Sequence, residues 1–237
     1  VAGLCVATAL VARGADGLLL IGYDRDPSVY EYLKRQNVPA LTAWAYSPDY
    51  EHPAIGFDNR AAMKLLTQEV LARGHRKIGV ISAITKGNDR AGERLHGIKE
   101  AVAEAGIDPL SLEVIETPYE IENGGDALEA LLQRRPEMTA VMCSNDVLGV
   151  GALMRAKRIG IEVPRDLSIT GFDDIELARI VSPELTTVHV PHRKMGQHAA
   201  IELAAMVEKT STGKSEKLDS HLQIRESLGR AKDPKHG

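Results

Sequence analysis

The sequence predicts an α/β protein, and two observations carry the prediction. Apolar runs of strand length, such as Leu18-Leu19-Leu20-Ile21, alternate with longer stretches whose apolar residues recur at helical spacing. The alternation then repeats as consecutive strand–helix units, the pattern of parallel sheets covered by helices.

Taken in order, Ala2 to Arg13 reads as a helix, and Asp16 to Gly22 as a glycine-bounded strand apolar enough to be buried on both faces. Pro27 to Gln36 follows as a helix, with short strands at Pro39 to Thr42 and Ala54 to Phe57. Asp58-Asn59 supplies capping side chains ahead of the helix Arg60 to Ala72, which Gly74 ends. Strands are then expected at Lys77 to Ser82, Glu113 to Thr117, Thr139 to Cys143, Leu167 to Gly171 and Thr186 to Val190. Helices are expected at Glu93 to Ala105, Asn123 to Arg134, Asp146 to Ile159, Ile175 to Ile180 and about Arg193 to Lys209. A polar break from Thr210 to Glu216 precedes a last strand near Leu218 to Arg225. Two sets of units closed by one returning helix and strand suit two lobes whose chain crosses over several times, and a cleft between lobes is the default ligand site.

Composition bounds the function. Of 237 residues, 43% are hydrophobic and 26% charged, the balance of a globular chain, and the net charge of −4 with scattered Lys and Arg gives no basic stripe for nucleic acid. Cys5 and Cys143 have no CxxC partner and read as two buried free thiols, which favours a reducing, cytoplasmic setting. The apolar start lacks a basic leader, and no stretch approaches the ~20 apolar residues that span a bilayer. GxGxxG, GxxxxGK(S/T) and GxSxG are all missing, so the chain is not expected to be an enzyme. The eight histidines show no metal spacing, and no metal or cofactor is expected.

Four segments, in order, carry a resemblance: Ile55-Gly56-Phe57-Asp58-Asn59, Gly74-His75-Arg76-Lys77-Ile78, Ser144-Asn145-Asp146 and Gly171-Phe172-Asp173-Asp174. Val163-Pro164-Arg165-Asp166, Pro183-Glu184-Leu185-Thr186-Thr187-Val188, Met195-Gly196-Gln197-His198 and Arg225-Glu226-Ser227 join them. Together they resemble the LacI/GalR family of transcriptional regulators, from Gly14 to Ser227. The resemblance implies two Rossmann-like lobes of periplasmic binding protein type I, with parallel sheets and multiple crossovers. It also implies a small effector held between the lobes, sugar-like by default, and a homodimer. Operator DNA would be read only through a helix-turn-helix headpiece not present in these residues. The expected lobes are 1–74 with 191–210, the first lobe incomplete at its amino terminus, and 75–190 with 211–228, leaving 229–237 as a disordered tail. The alternative of the same architecture is an exported solute-binding protein for a sugar.

The expected ligand-binding residues follow from this resemblance and from side-chain chemistry. Arg94, in Arg94-Leu95-His96-Gly97, matches the family's effector arginine, and its guanidinium fork suits paired hydroxyls; a surface arginine in a first helical turn is the bland reading. Asp173, past a strand's carboxyl end, accepts from hydroxyl or N–H groups, with Asp174 read as the cap of the following helix. Asn145 and Asp58 sit at strand-to-helix junctions where capping alone also explains them, while Asp146 holds loop geometry. Tyr119 and Trp44 offer rings at loop positions, which packing within a lobe explains as well, and Arg90 adds positive charge near the mouth. His75 is read as structural, bonding backbone groups where the chain enters the second lobe.

Overall fold

The computed structural model describes residues 2–232 and is α/β throughout, with parallel sheets as expected. It divides into two compact units: residues 1–59, 87–90 and 191–219, and residues 60–86, 91–190 and 220–237. These bounds differ from the expected lobes at 60–74, which fall in the second unit, and at 211–219, which fall in the first. The second difference has a plain cause: Ile55 pairs with Glu216 in a parallel ladder that binds this stretch to the first unit's sheet.

The first unit holds helix α1 (Ala2–Ala12), strand β1 (Leu18–Ile21), helix α2 (Pro27–Arg35) and strands β2 (Ala40–Ala43) and β3 (Ala54–Gly56). Pro27 at the start of α2 loses no bond there, because a first-turn N–H has no helical partner, and Asp26 accepts from Ser28 N–H. The first unit's sheet runs β1-β2-β3 and ends on the two-residue strand β9 (Glu216–Lys217). Leu18, Val29 and Leu33 form the buried cluster on the α1–α2 face. Strand β1 is not buried on both faces: it is the edge strand, and Leu19 and Ile21 stay 41% and 47% exposed. Helix α8 (His192–Val207) covers the neighbouring strands but meets this end of the sheet beside Gly17, through Leu203 and Val207, leaving those two side chains uncovered.

In the second unit the order is α3 (Asn59–Ala72, all but its first residue), β4 (Ile78–Ala83), α4 (Asp89–Glu104, from Ala91 on) and β5 (Glu113–Thr117). There follow α5 (Ile121–Arg134), β6 (Ala140–Cys143), α6 (Asp146–Arg158), β7 (Ser168–Thr170), α7 (Leu177–Ile180) and β8 (Thr187–His189). The sheet runs β5-β4-β6-β7, all parallel, so its central strands are buried on both faces and read as unbroken apolar runs. Ile81, Val141, Cys143, Leu128, Leu148 and Ile169 are among its fully buried core side chains. The expected last strand is only the short β10 (His221–Gln223), which pairs antiparallel with β8, while β9, just ahead of it at the end of the expected polar break, joins the first unit's sheet.

Two further expectations are corrected. Cys143 is buried but Cys5 is exposed, because it falls on the outer side of α1. The tail is ordered at its start: Gly229 N–H donates to Ser168, Ala231 N–H to the Arg73 carbonyl, and Lys232 pairs with Asp166. The remainder of the expected tail, 233–237, lies outside the described residues.

Candidate functional site

Arg94 lies on α4, which begins at Asp89, so it stands beyond the first turn and the bland reading fails. Its side chain is 5% exposed. Nη1 donates to the Ser144 carbonyl at 2.7 Å and Nη2 to Asp173 Oδ1 at 3.1 Å, while the guanidinium lies 3.9 Å from the Phe172 ring centre. The two residues singled out most strongly in the sequence are thus an ion pair, stacked on an aromatic face. Gly97, one turn on, allows the approach: a Cβ there would collide with the Arg60 carbonyl of α3.

Asp173 and Asp174 follow β7 at its carboxyl end, and both hold positive φ, 109° and 55°, unusual for residues with a side chain. Asp173 N–H donates to the Val188 carbonyl, laying this loop along β8. Asp174 is not a helix cap. Helix α7 begins two residues later than expected, and its N-cap residue, Glu176, makes no side-chain cap bond. Asp174 accepts instead from Arg179 at 2.7 Å, His189 at 2.8 Å and Arg225, with no side-chain surface exposed. Burial pushes its carboxyl up, but those three donors outweigh burial and hold it down at about 2.

Asn145 caps α6, its Oδ1 accepting from Leu148 N–H at 2.9 Å. Asp146, buried, donates its N–H to the Phe172 carbonyl and accepts from Thr187 Oγ1 and Ile175 N–H. Tyr119 stands between β5 and α5, 44% exposed. His75 bonds Thr139 Oγ1 and the Gly229 carbonyl, and burial lowers its pKa. The chain leaves the first unit at Asn59, well before His75.

The other candidates belong to the first unit. Trp44 follows β2 with φ 64°, its N–H facing Met195 Sδ at 3.4 Å and its ring 6.1 Å from that of His192. Asp58 lies 3.6 Å from Lys217. Arg90 Nη1 donates to the Ile21 carbonyl, and Asp89 lies beside it, accepting from Tyr23 N–H.

The sequence reading missed Phe172 as the plate beneath Arg94, and Arg179, His189 and Arg225 as partners of Asp174. Phe172 carried a signal, being one of two phenylalanines and adjacent to Asp173. Of the basic partners, which lie 5, 15 and 51 residues from Asp174, only Arg225 stood in a quoted segment, Arg225-Glu226-Ser227, and nothing there tied it to Asp174. Among the described residues there is no group of three or more His, Cys, Asp or Glu side chains that would hold a metal, and no helix is long and apolar enough to cross a membrane.

Residues 67–228 match the model of the periplasmic binding protein-like domain. The chain is 30% identical to the transcription regulator GntR from Chromobacterium violaceum, whose crystal structure it matches with a TM-score of 0.87 over 95% of this chain and 83% of that one. This chain belongs to the LacI/GalR family, as its periplasmic binding protein-like effector-binding core. The HTH-type transcriptional repressor CytR of Escherichia coli K12 is 32% identical over 92% of the chain, which spans 64% of that repressor's length. The complex of transcriptional regulator CelR with cellobiose is 28% identical, with a TM-score of 0.83 over 95% of this chain and 69% of that one. The LacI/GalR match accounts for the parallel sheets.

Proposed function

We propose that this chain binds a small effector, a sugar or sugar derivative, and through it controls operator binding by a helix-turn-helix headpiece outside these residues, as a homodimer. One observation carries the reading: the buried Arg94–Asp173 pair on Phe172, at the carboxyl ends of β6 and β7, where open α/β sheets bind ligands. A guanidinium fork beside a carboxylate presents donors and acceptors together, which suits neighbouring hydroxyls. Asn145 and Tyr119 are further proposed contacts of this unit, and Trp44, Asp58 and Arg90 are those of the first. The relative solved with cellobiose supports a sugar-like ligand. Control follows only if the effector binds one arrangement of the protein more tightly than another.

The test is a thermal-shift screen against cellobiose and other sugars, sugar phosphates, polyols and purines. A ligand at a hundred times its Kd adds about 2.7 kcal/mol of stability. Arg94→Lys keeps the charge and loses the fork, and Asp173→Asn keeps the shape and loses the charge. A sugar that stabilises the wild type and neither variant supports the assignment. Stabilisation that survives both variants overturns the site, and a hit confined to purines overturns the sugar class.

A further inference from the structure

Asp146 forms a bracket around the loop that carries Asp173. Its N–H donates to the Phe172 carbonyl at 2.8 Å, and its Oδ2 accepts from Ile175 N–H at 2.9 Å, so one residue grips the loop immediately before and after Asp173-Asp174. The third contact, Oδ1 accepting from Thr187 Oγ1 at 2.6 Å, ties the bracket to β8. With its proton given to Asp146, the Thr187 hydroxyl accepts from Asp174 N–H at 3.4 Å. Gly171 leaves no room for slack, since a Cβ there would collide with Asp146 Oδ1. Two consecutive non-glycine residues at positive φ are costly and persist only where the surroundings over-determine them. Here the bracket supplies that determination.

We propose that Asp146 is the positioning residue of the candidate site, holding Asp173 against Arg94, and that this geometry depends on its charge state. The part that concerns a ligand rests on the function proposed above; the bracket does not. Burial, with Asp173 and Asp174 close by, raises the Asp146 carboxyl to about 7, although Thr187 and Ile175 oppose the rise. The titratable and charged groups around it are Cys143 at the end of β6 and Asp173 and Asp174 in the loop. Beyond them stand Arg94 on Asp173, and Arg179, His189 and Arg225 on Asp174. Protonation turns one acceptor oxygen of Asp146 into a donor: on Oδ1 it reverses the bond with Thr187, and on Oδ2 it removes the acceptor of Ile175 N–H, so either way one tie of the loop changes.

The experiment follows the backbone amide resonances of Asp173 and Ile175 in ligand-free protein from pH 5.5 to 8.5, in the wild type, Asp146→Asn and Asp146→Ala. In the wild type both amides should shift together with a midpoint of about 7. Asp146→Asn has one acceptor oxygen at every pH, so its resonances should stay near the wild type's low-pH positions and not titrate. Asp146→Ala should exchange the Ile175 amide proton roughly tenfold faster; if that variant does not fold, the asparagine variant carries the test alone. Titration that survives in Asp146→Asn, or amides that do not move in the wild type, would overturn the proposal. No ligand enters this measurement, so its failure is distinguishable from failure of the effector screen.

Discussion

Asp174 shows how much one residue can depend on partners far away in the chain. Arg179, His189 and Arg225 hold its carboxyl at about 2, below the ordinary 3.8, so its contribution to stability is complete above pH ~4 and is lost as pH falls toward 2. The melting temperature of the wild type should therefore drop between pH 4 and pH 2, and that of Asp174→Asn should drop less over the same interval. At pH 7 the same variant should be less stable by about 3 kcal/mol, because the Arg225 guanidinium, only 10% exposed, loses the charge that compensates it. Urea denaturation at pH 2, 4 and 7 checks both statements, and an equal fall in stability from pH 4 to pH 2 for wild type and variant would sink the first. The sequence made Asp174 a helix cap because a short helix was expected at its heels. The donors that claim it instead come from α7, β8 and the segment after β10, which no local pattern brings together.

At the scale of elements, the positions of helices were legible because apolar periodicity and caps are local properties. Helix α6 was expected over Asp146 to Ile159 and runs Asp146–Arg158, with Asn145 as its cap. What periodicity could not show is how closely helices approach. Helices α5 and α6 cross through Gly124 and Gly151, where a Cβ would collide with the backbone of Leu148 and Ile121 respectively. Gly151→Ala should destabilise by about 1–3 kcal/mol, because the obstacle is a carbonyl of the facing helix and cannot rotate away. Gly92, on α4, has open space around it, and Gly92→Ala should stabilise by up to about 1 kcal/mol from helix propensity alone. Opposite signs in chemical denaturation are the expected result, and a loss of stability in both variants would refute the account of Gly92. Strand ends were less legible: the run from Leu218 to Arg225 has a strand's composition, yet only His221–Gln223 pairs as a strand, and Glu216–Lys217 just before the run joins a different sheet.

For the molecule as a whole, the two thiols give a simple probe of the folded state. Cys5 is exposed, while Cys143 is fully buried and burial pushes its thiol up out of the reactive range. A thiol reagent should label the native protein once, at Cys5, and label Cys143 only on denaturation; rapid native labelling at Cys143 would contradict the packed core of the second unit. The chain passes between its units after Asn59, Lys86, Arg90, Val190 and Asp219, whereas the sequence reading places three crossings, after 74, 190 and 210. By itself the sequence determined the α/β class, the order of strand–helix units, the family and the choice of Arg94 and Asp173, because periodicity, capping and motif order are written along the chain. The tertiary structure alone decided that Arg94 and Asp173 are an ion pair on Phe172, that Asp146 brackets the Asp173 loop and that β1 is an exposed edge. Each of these depends on groups tens of residues apart meeting at distances of a few ångströms, which packing sets and sequence spacing does not.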